Sequence, residues 1–494
     1  MKKAKLKILF INPPLSVGKE VKYASHQIPL GFMYMAGVLE KEGFVVKILD
    51  CPLYYKKRRK IDEKTSKIGL YPKEIERQIK NFDPDIVGVN CSFTMFEQDA
   101  FEAIDIAKKA KKDAFIVVGG AHASSNAKLV LRNSKIDLAI LGEGELTILE
   151  IMQKMKNKKT LENIRGTAFI KNNKFIKNSP REPIKNLDNL EPAWHRINFK
   201  KYFEHPDNSG ITLRGPSINI ITSRGCPMNC IFCSVRTVWG RKYRAMSTKK
   251  VLDQIEFLYK KYKIKHFRFN DDNLTLNKKR TIEICQGIID RGINIKWDTP
   301  SGVAFWTLDK EILSLMKKSG YYRITFGIES GSKNTQKYIR KDVDLKKIDS
   351  LIEHCHKIGL WVASFFIIGF PFEKKEEIEK TIKYITNSKI NFPFVFVAQP
   401  YPGTEMYEDF KNNNLLEKGV LKSSTPIHSK YRSKYFAGEE LNVMRGNIYK
   451  KFYFKKIIRY TNPFIFYREF LSKIRSKEDI VYVYKILKNL LTIF

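Results

Sequence analysis

Acidic side chains are the first scarcity of this 494-residue chain: 52 Asp and Glu stand against 90 Lys and Arg, a formal charge of +38 at pH 7. Such an excess can serve an anionic partner. Here it is Lys-rich and spread over the whole length, as in Lys-Lys-Tyr-Lys-Ile-Lys at 260–265. A nucleic-acid interface gathers its charge on one patch or stripe, so solvated helix faces explain the excess better and a basic nucleic-acid-binding module is the weaker reading. Long apolar runs are also missing. No stretch approaches the roughly eighteen apolar residues of a spanning helix. The apolar opening Ile8 to Ile11 is short, stops at Pro13-Pro14 and has no secretory pattern. Cysteines number only seven, unevenly placed, which is not the density of a disulfide scaffold. A reduced cytoplasmic setting is expected. The length predicts about three domains.

Three of the seven cysteines, Cys226, Cys230 and Cys233, crowd into Arg-Gly-Cys-Pro-Met-Asn-Cys-Ile-Phe-Cys. The spacing CxxxCxxC is too tight for three independent structural thiols and suits one loop whose thiolates converge on one metal centre. Zinc sites usually pair one CxxC with a distant second pair, and four-cysteine iron–sulfur clusters are closed. Three thiolates on a four-iron cluster leave one iron open. The remaining Cys51, Cys91, Cys285 and Cys355 lie in apolar surroundings and read as buried thiols. The motif resembles that of the radical S-adenosylmethionine enzymes, and Phe232, the aromatic before the last cysteine, fits that family. The resemblance implies a 4Fe-4S cluster whose open iron chelates the amino and carboxylate groups of S-adenosylmethionine.

Ahead of the motif, strand-like runs at 5–12, 45–50, 85–90, 114–118 and 138–141 alternate with helical periods, among them 30–43 and 96–112. This predicts an α/β, doubly wound parallel sheet, which binds ligands where its strands end. Gly119-Gly120 and Gly142-Glu143-Gly144 stand at two such ends, where glycine lets a backbone approach a bulky ligand. Ile28-Pro29-Leu30-Gly31, Asp83 to Gly88, Gly119-Gly120-Ala121-His122 and Gly142 to Glu145, in this order, resemble the cobalamin-binding domain found before many radical enzymes. The resemblance implies cobalamin contacts at Ser92, Gly119, Gly120, His122, Gly142, Glu143 and Gly144. His122 also reads as an ordinary hydrogen-bonding loop histidine. The Asp-x-His-x-x-Gly signature of cobalamin mutases is absent, so no histidine is expected on cobalt. Residues 163–185 read as a hairpin turning at Asn172-Asn173, followed by a linker to about Gly215.

From residue 218 six strand-like runs, 218–221, 266–270, 295–298, 323–328, 362–368 and 395–399, alternate with helices. They predict a partial (β/α)6 TIM-type barrel, whose chemistry sits at the C-terminal strand ends. The cysteine loop, Asp271-Asp272-Asn273, Glu329-Ser330-Gly331, Gly369-Phe370-Pro371 and Gln399 all fall there. By resemblance, Asp272 or Asn273 takes the ammonium of S-adenosylmethionine, Glu329 its ribose, and Phe232 and the Gly369 turn its adenine, with Ser330 and Gln399 completing the site. No catalytic acid or base stands out. Two runs depart from the family: Gly369-Phe-Pro-Phe-Glu373 replaces Gly-x-Pro-Gly-Glu-Thr, and Asp298-Thr-Pro-Ser-Gly302, expected to face the substrate, lacks the usual arginine.

Residues 411–494 hold 18 Lys or Arg and 6 Asp or Glu, interleaved with aromatics and broken at Pro463. They read as amphipathic helices, either a cap on the barrel or a membrane-surface contact. The expected organisation is a cobalamin-binding-like Rossmann-type domain (1–155), hairpin and linker (156–215), radical S-adenosylmethionine partial barrel (216–410) and basic helical segment (411–494). The resemblance implies a cobalamin-dependent C-methyltransferase acting through a 5'-deoxyadenosyl radical and methylcobalamin. An oxidative cyclase or carbon–carbon coupling enzyme with the same cofactors is the alternative. Methylthiotransferases need three more cysteines near the N-terminus, where only Cys51 and Cys91 stand. The expected partners are a small-molecule or lipid substrate, an external electron donor of flavodoxin or ferredoxin type, and peripheral contact with the inner membrane face; nucleic acid is not among them.

Overall fold

Runs of Val, Ile and Phe become the strands of two parallel sheets in the computed structural model, which describes residues 5–19, 21, 26–205, 212–416 and 429–491. The contacts divide the chain into two units, Met1–Gly210 with Ser234–Gly240, and Ile211–Cys233 with Arg241–Phe494.

In the first unit β1 (Lys7–Asn12), β2 (Val45–Asp50), β3 (Ile86–Asn90), β4 (Phe115–Gly119) and β5 (Leu138–Ile140) run parallel, and the hairpin β6 (Thr167–Lys171) and β7 (Lys174–Lys177) is antiparallel. The order is β7-β6-β5-β4-β3-β1-β2. Helices α1 (Leu30–Lys41), α2 (Pro72–Phe82), α3 (Glu97–Ala110), α4 (Ala121–Ser125) and α5 (Glu145–Lys156) connect or follow the strands. Side chains alternate across a strand, so Leu9 and Ile11 enter one core while Ile8 and Phe10 enter the other. Both faces are covered, as a parallel sheet requires. The hairpin turns at Asn172 and Asn173, with φ of 49° and 60°, the two left-handed residues of a type I′ turn. It does not stand apart in a linker: Ala139 pairs with Ala168, so it extends the sheet.

In the second unit β8 (Ser217–Ile220), β9 (His266–Phe269), β10 (Lys296–Asp298), β11 (Tyr321–Glu329), β12 (Trp361–Ile368) and β13 (Phe392–Val397) pair in sequence order, all parallel. Helices α6 (Thr248–Tyr262), α7 (Lys278–Asp290), α8 (Lys310–Lys318), α9 (Lys333–Tyr338), α10 (Leu345–Lys357) and α11 (Lys375–Asn387) alternate with them, giving a partial barrel open between β8 and β13. The last strand begins three residues before the expected position 395 and includes Pro393. Proline is tolerated there because β13 is an edge. After α12 (Glu405–Asn412) come α13 (Gly438–Tyr460), α14 (Pro463–Glu469) and α15 (Lys477–Leu491). Helix α13 shields the β13 edge: Val395 N donates to Tyr449 Oη at 3.0 Å, and Lys456 Nζ donates to Ile390 O at 2.9 Å. Tyr482 and Ile486 of α15 join Leu213, Tyr322 and Trp361 in one core beneath the barrel.

Candidate active site

The cysteine loop follows β8 and is braced from below. Buried Asp271 accepts from Thr222 N at 2.8 Å, Thr222 Oγ1 at 2.7 Å and Ser223 Oγ at 2.5 Å. Arg280 ties Met246 O and Thr222 O to the same stem, at 2.8 and 3.1 Å. Ser223-Arg224 also pairs antiparallel with Arg244-Ala245. On this stem Cys226, Cys230 and Cys233 remain partly exposed, whereas Cys51, Cys91, Cys285 and Cys355 are buried.

The predicted residues divide by what they touch. Asn273 Nδ2 lies 3.6 Å from Cys226 Sγ. Asp272 accepts from Gly225 N at 3.3 Å, and burial together with the neighbouring Asp271 charge pushes its carboxyl up to about 6. Asp271, the third member of the run, is consumed by the stem. Phe232 packs 6.2 Å from Phe370, centroid to centroid, at the Gly369 turn. Gly369 has φ of +81°, and its N–H donates to Glu373 Oε2 at 2.7 Å. The retained Glu373 of that run is buried, also accepts from Thr335 Oγ1 at 3.1 Å, and burial pushes it up to about 7. Ser330 is fully buried and bonded to Thr381 Oγ1 at 2.9 Å and to Ser332 N at 3.1 Å. Gln399 is buried at the end of β13, its Nε2 3.3 Å from Val397 O.

Glu329 closes β11 with φ of +64°, where the register to β12 shifts. A left-handed, non-glycine residue costs about 1–2 kcal/mol, and such strain gathers at functional sites. Its carboxylate accepts from Lys341 Nζ at 2.7 Å, and both side chains are mostly buried. Burial pulls Lys341 down, but Glu329 and the Cys230 thiol outweigh it and hold the ammonium above its ordinary value. A Cβ on Gly327 would meet Lys341 Nζ at 2.7 Å, so glycine leaves room for this pair. Lys341 was not legible beforehand; only the turn after α9 brings it to Glu329 and the cysteines.

The inner wall of the barrel is read from register. Arg268, Asp298, Arg323 and Trp361 face one another across four strands. Asp298 is not open to a substrate as expected: it is fully buried and paired with Arg268 and Arg323. Nearer the cysteine end Phe365 lies opposite Phe394, with rings 5.8 Å apart, and 5.9 Å from Phe396; Phe394 is 38 % exposed.

In the first unit the ends of β1, β2 and β3 are joined by hydrogen bonds. Ser92 Oγ donates to Asn90 Oδ1, Asn90 to Asn12 Oδ1, and Asn12 to Asp50 Oδ1, at 2.5, 3.0 and 2.8 Å. Gly120 has φ of +117°, and a Cβ there would meet Ser92 Oγ at 2.6 Å. Gly119 is in ordinary contact with Ile140, while a Cβ on Gly144 would press Met35 Sδ at 2.9 Å. Gly142, with φ of +76°, is nearly open, the nearest atom to a Cβ being Val238 O at 3.4 Å. Exposed Phe93 and Met95 flank this end. His122 lies on α4 instead of a loop; it is buried, with Nδ1 2.9 Å from Thr94 Oγ1 and Nε2 3.9 Å from Glu97 Oε2. Glu143 is turned to Ile184 N at 2.7 Å.

Known proteins match both units. The Radical SAM superfamily profile matches residues 220–385 and the B12 binding domain profile residues 20–152. The chain is 32 % identical to the uncharacterized methyltransferase PH0819 of Pyrococcus horikoshii, over 91 % of this chain and 93 % of that protein. It is 30 % identical to cytidylyl-2-hydroxyethylphosphonate methyltransferase of Streptomyces wedmorensis, over 87 % of this chain and 85 % of that one. The solved structure of the cobalamin-dependent S-adenosylmethionine radical enzyme OxsB with aqua-cobalamin bound aligns with a TM-score of 0.69 at 16 % identity, covering 99 % of this chain and 75 % of that one. At that identity it speaks for the fold alone.

Proposed function

This chain belongs to the cobalamin-binding radical S-adenosylmethionine enzymes, and from that premise we propose that it is a methyltransferase acting on an unactivated carbon of a small-molecule or lipid substrate. One observation carries the reading: the three-thiol loop, Asp272 and the Glu329–Lys341 pair gather at the C-terminal strand ends of one barrel. Relatives named as methyltransferases support the reaction class.

The donor set fits the implied groups. Among the described residues no three His, Cys, Asp or Glu are gathered for a single metal ion. Cys226, Cys230 and Cys233, three partly exposed thiols on one loop, would hold the cluster. The glycine-ended strands at Gly119 and Gly142, in a unit that also exposes Phe93 and Met95, leave room for cobalamin. When bound, the cluster supplies the electron that cleaves S-adenosylmethionine, and cobalamin supplies the methyl group. The chain's own task is placement. Asn273 orients Cys226, and Lys341 offsets thiolate charge while fixing the Glu329 rotamer. Asp272 is left for the ammonium and Glu329 for the ribose hydroxyls. Phe365, Phe394 and Phe396 favour an apolar substrate body. The remaining cysteines are buried and scattered, so an external flavodoxin- or ferredoxin-type donor belongs to this reading.

Reduced, reconstituted enzyme given S-adenosylmethionine and substrate tests the reading. Methylation yields both S-adenosylhomocysteine and 5'-deoxyadenosine; deoxyadenosine alone would overturn it. Cys226→Ala, Cys230→Ala or Cys233→Ala should abolish cluster absorbance and cleavage. Asp272→Ala and Glu329→Ala should keep the cluster but bind S-adenosylmethionine roughly ten- to a hundredfold more weakly, the loss of one hydrogen bond to a charged group.

A further inference from the structure

We propose that α13 and α14 form a docking surface for an anionic lipid bilayer. From Leu441 to Lys477 the chain carries ten Lys or Arg and one acidic residue, Glu469. Glu469 is fully buried and paired with Lys456 and Arg459. No carboxylate side chain of this segment therefore meets solvent, while Lys450, Lys451, Lys455 and Arg468 are exposed.

Large apolar side chains stand among those cations. On α13 Phe454, Ile457 and Ile458 are 66, 68 and 55 % exposed, and on α14 Phe464 and Tyr467 are 84 and 63 % exposed. Positions 454, 457 and 458 share one helix face, and the other face of the same turns buries Phe452 and Lys456. The helix has thus already covered the barrel with one side and presents a second apolar side outward. Tyr460 and Phe466, rings 5.3 Å apart, hold α14 against α13. Single exposed apolar residues are ordinary; five within residues 454–467 form the kind of patch that marks an interaction surface.

The charge pattern selects the occupant. A second copy docking through the same patch would set these cations against their own counterparts, because a two-fold interface repeats one surface on both sides. Anionic headgroups match them, and the aromatics enter the interface between headgroup and acyl chain. Leu441 packs at Gly369, at the cysteine end of the barrel, and Lys456 reaches Ile390 at the opposite end. The patch therefore lies at the end away from the cysteine loop, and docking needs neither cofactor nor substrate. Its failure would leave the proposed chemistry untouched, and the reverse holds too.

The full chain is sedimented with vesicles of phosphatidylcholine alone or containing phosphatidylglycerol, at low and high salt. Binding is expected only with phosphatidylglycerol and is weakened by salt. Combined Lys450→Glu, Lys451→Glu and Lys455→Glu should lower the partition coefficient on the order of a hundredfold; combined Phe454→Ser, Ile457→Ser and Phe464→Ser should lower it about tenfold or more. Phe464→Trp, read by quenching from brominated lipid, keeps the result legible if a triple variant misfolds. No binding by the wild-type chain, no quenching, or equal binding by folded variants would overturn the proposal. So would self-association that the serine variant loses while vesicles are ignored.

Discussion

At the Gly369 turn a buried carboxyl, Glu373, accepts from Gly369 N and Thr335 Oγ1. The three cysteines announce themselves by spacing, and Asp272 and Glu329 by standing at strand ends. Lys341 gains its surroundings only from a distant turn, so no local pattern points to it, whereas Glu373 stands in the Gly369 run, where Gly369 N donates to it, and only its contact with Thr335 comes from afar. Glu373 is the more testable. Its ordinary value is 4.5 and burial pushes it up to about 7. The unfolded chain ionises first as pH rises, so the folded state loses stability between those two values and no further above them. The loss comes to about 3 kcal/mol at 1.36 kcal/mol per unit. Glu373→Gln copies the protonated form, accepting from Gly369 N and donating toward Thr335. Urea unfolding should find it close to wild type at pH 5 and more stable at pH 8. Equal pH profiles for the two proteins would contradict the assignment.

Elements were legible in proportion to their apolar period. The strands of both sheets and the barrel helices follow clear runs, and the hairpin is written in two asparagines. Helix α2 escaped because it buries only Ile75 and Ile79, under a charged exterior. Strand β13 was placed late because Pro393 argues against a strand anywhere but at an edge. The C-terminal helices carried two readings at once, a cap and a membrane contact, because an amphipathic period does not say what covers each face. Helix α15 is a cap by its packing. Tyr482 is fully buried, 5.5 Å from the Tyr322 ring and 6.1 Å from Trp361, centroid to centroid. Tyr482→Ala should therefore cost about 3–5 kcal/mol, as for other large aromatics truncated in a core. A shifted urea midpoint at constant slope would report it, and an unchanged midpoint would mean that α15 contributes little to the barrel.

At the scale of the whole molecule, family and chemistry were readable because glycine-ended strands and a cysteine loop recur in a fixed order along the chain. The substrate was not. The wall that would meet it is assembled by register, with Phe365 beside Phe394 and Arg268 beside Asp298, and such rows exist only once strands have paired. Ser234–Gly240 follows directly on Cys233, yet belongs to the unit of the first sheet, where the short helix Val235–Val238 touches α4. The backbone therefore leaves that unit once, returns for seven residues and leaves again. No single cut in the gene frees either part whole. A chimera that exchanges the N-terminal sheet with a relative's has to carry two splices, the inner one immediately beside the last cysteine. One-splice chimeras should yield less soluble protein than two-splice chimeras of the same pair, which fractionation of expressed lysates would measure.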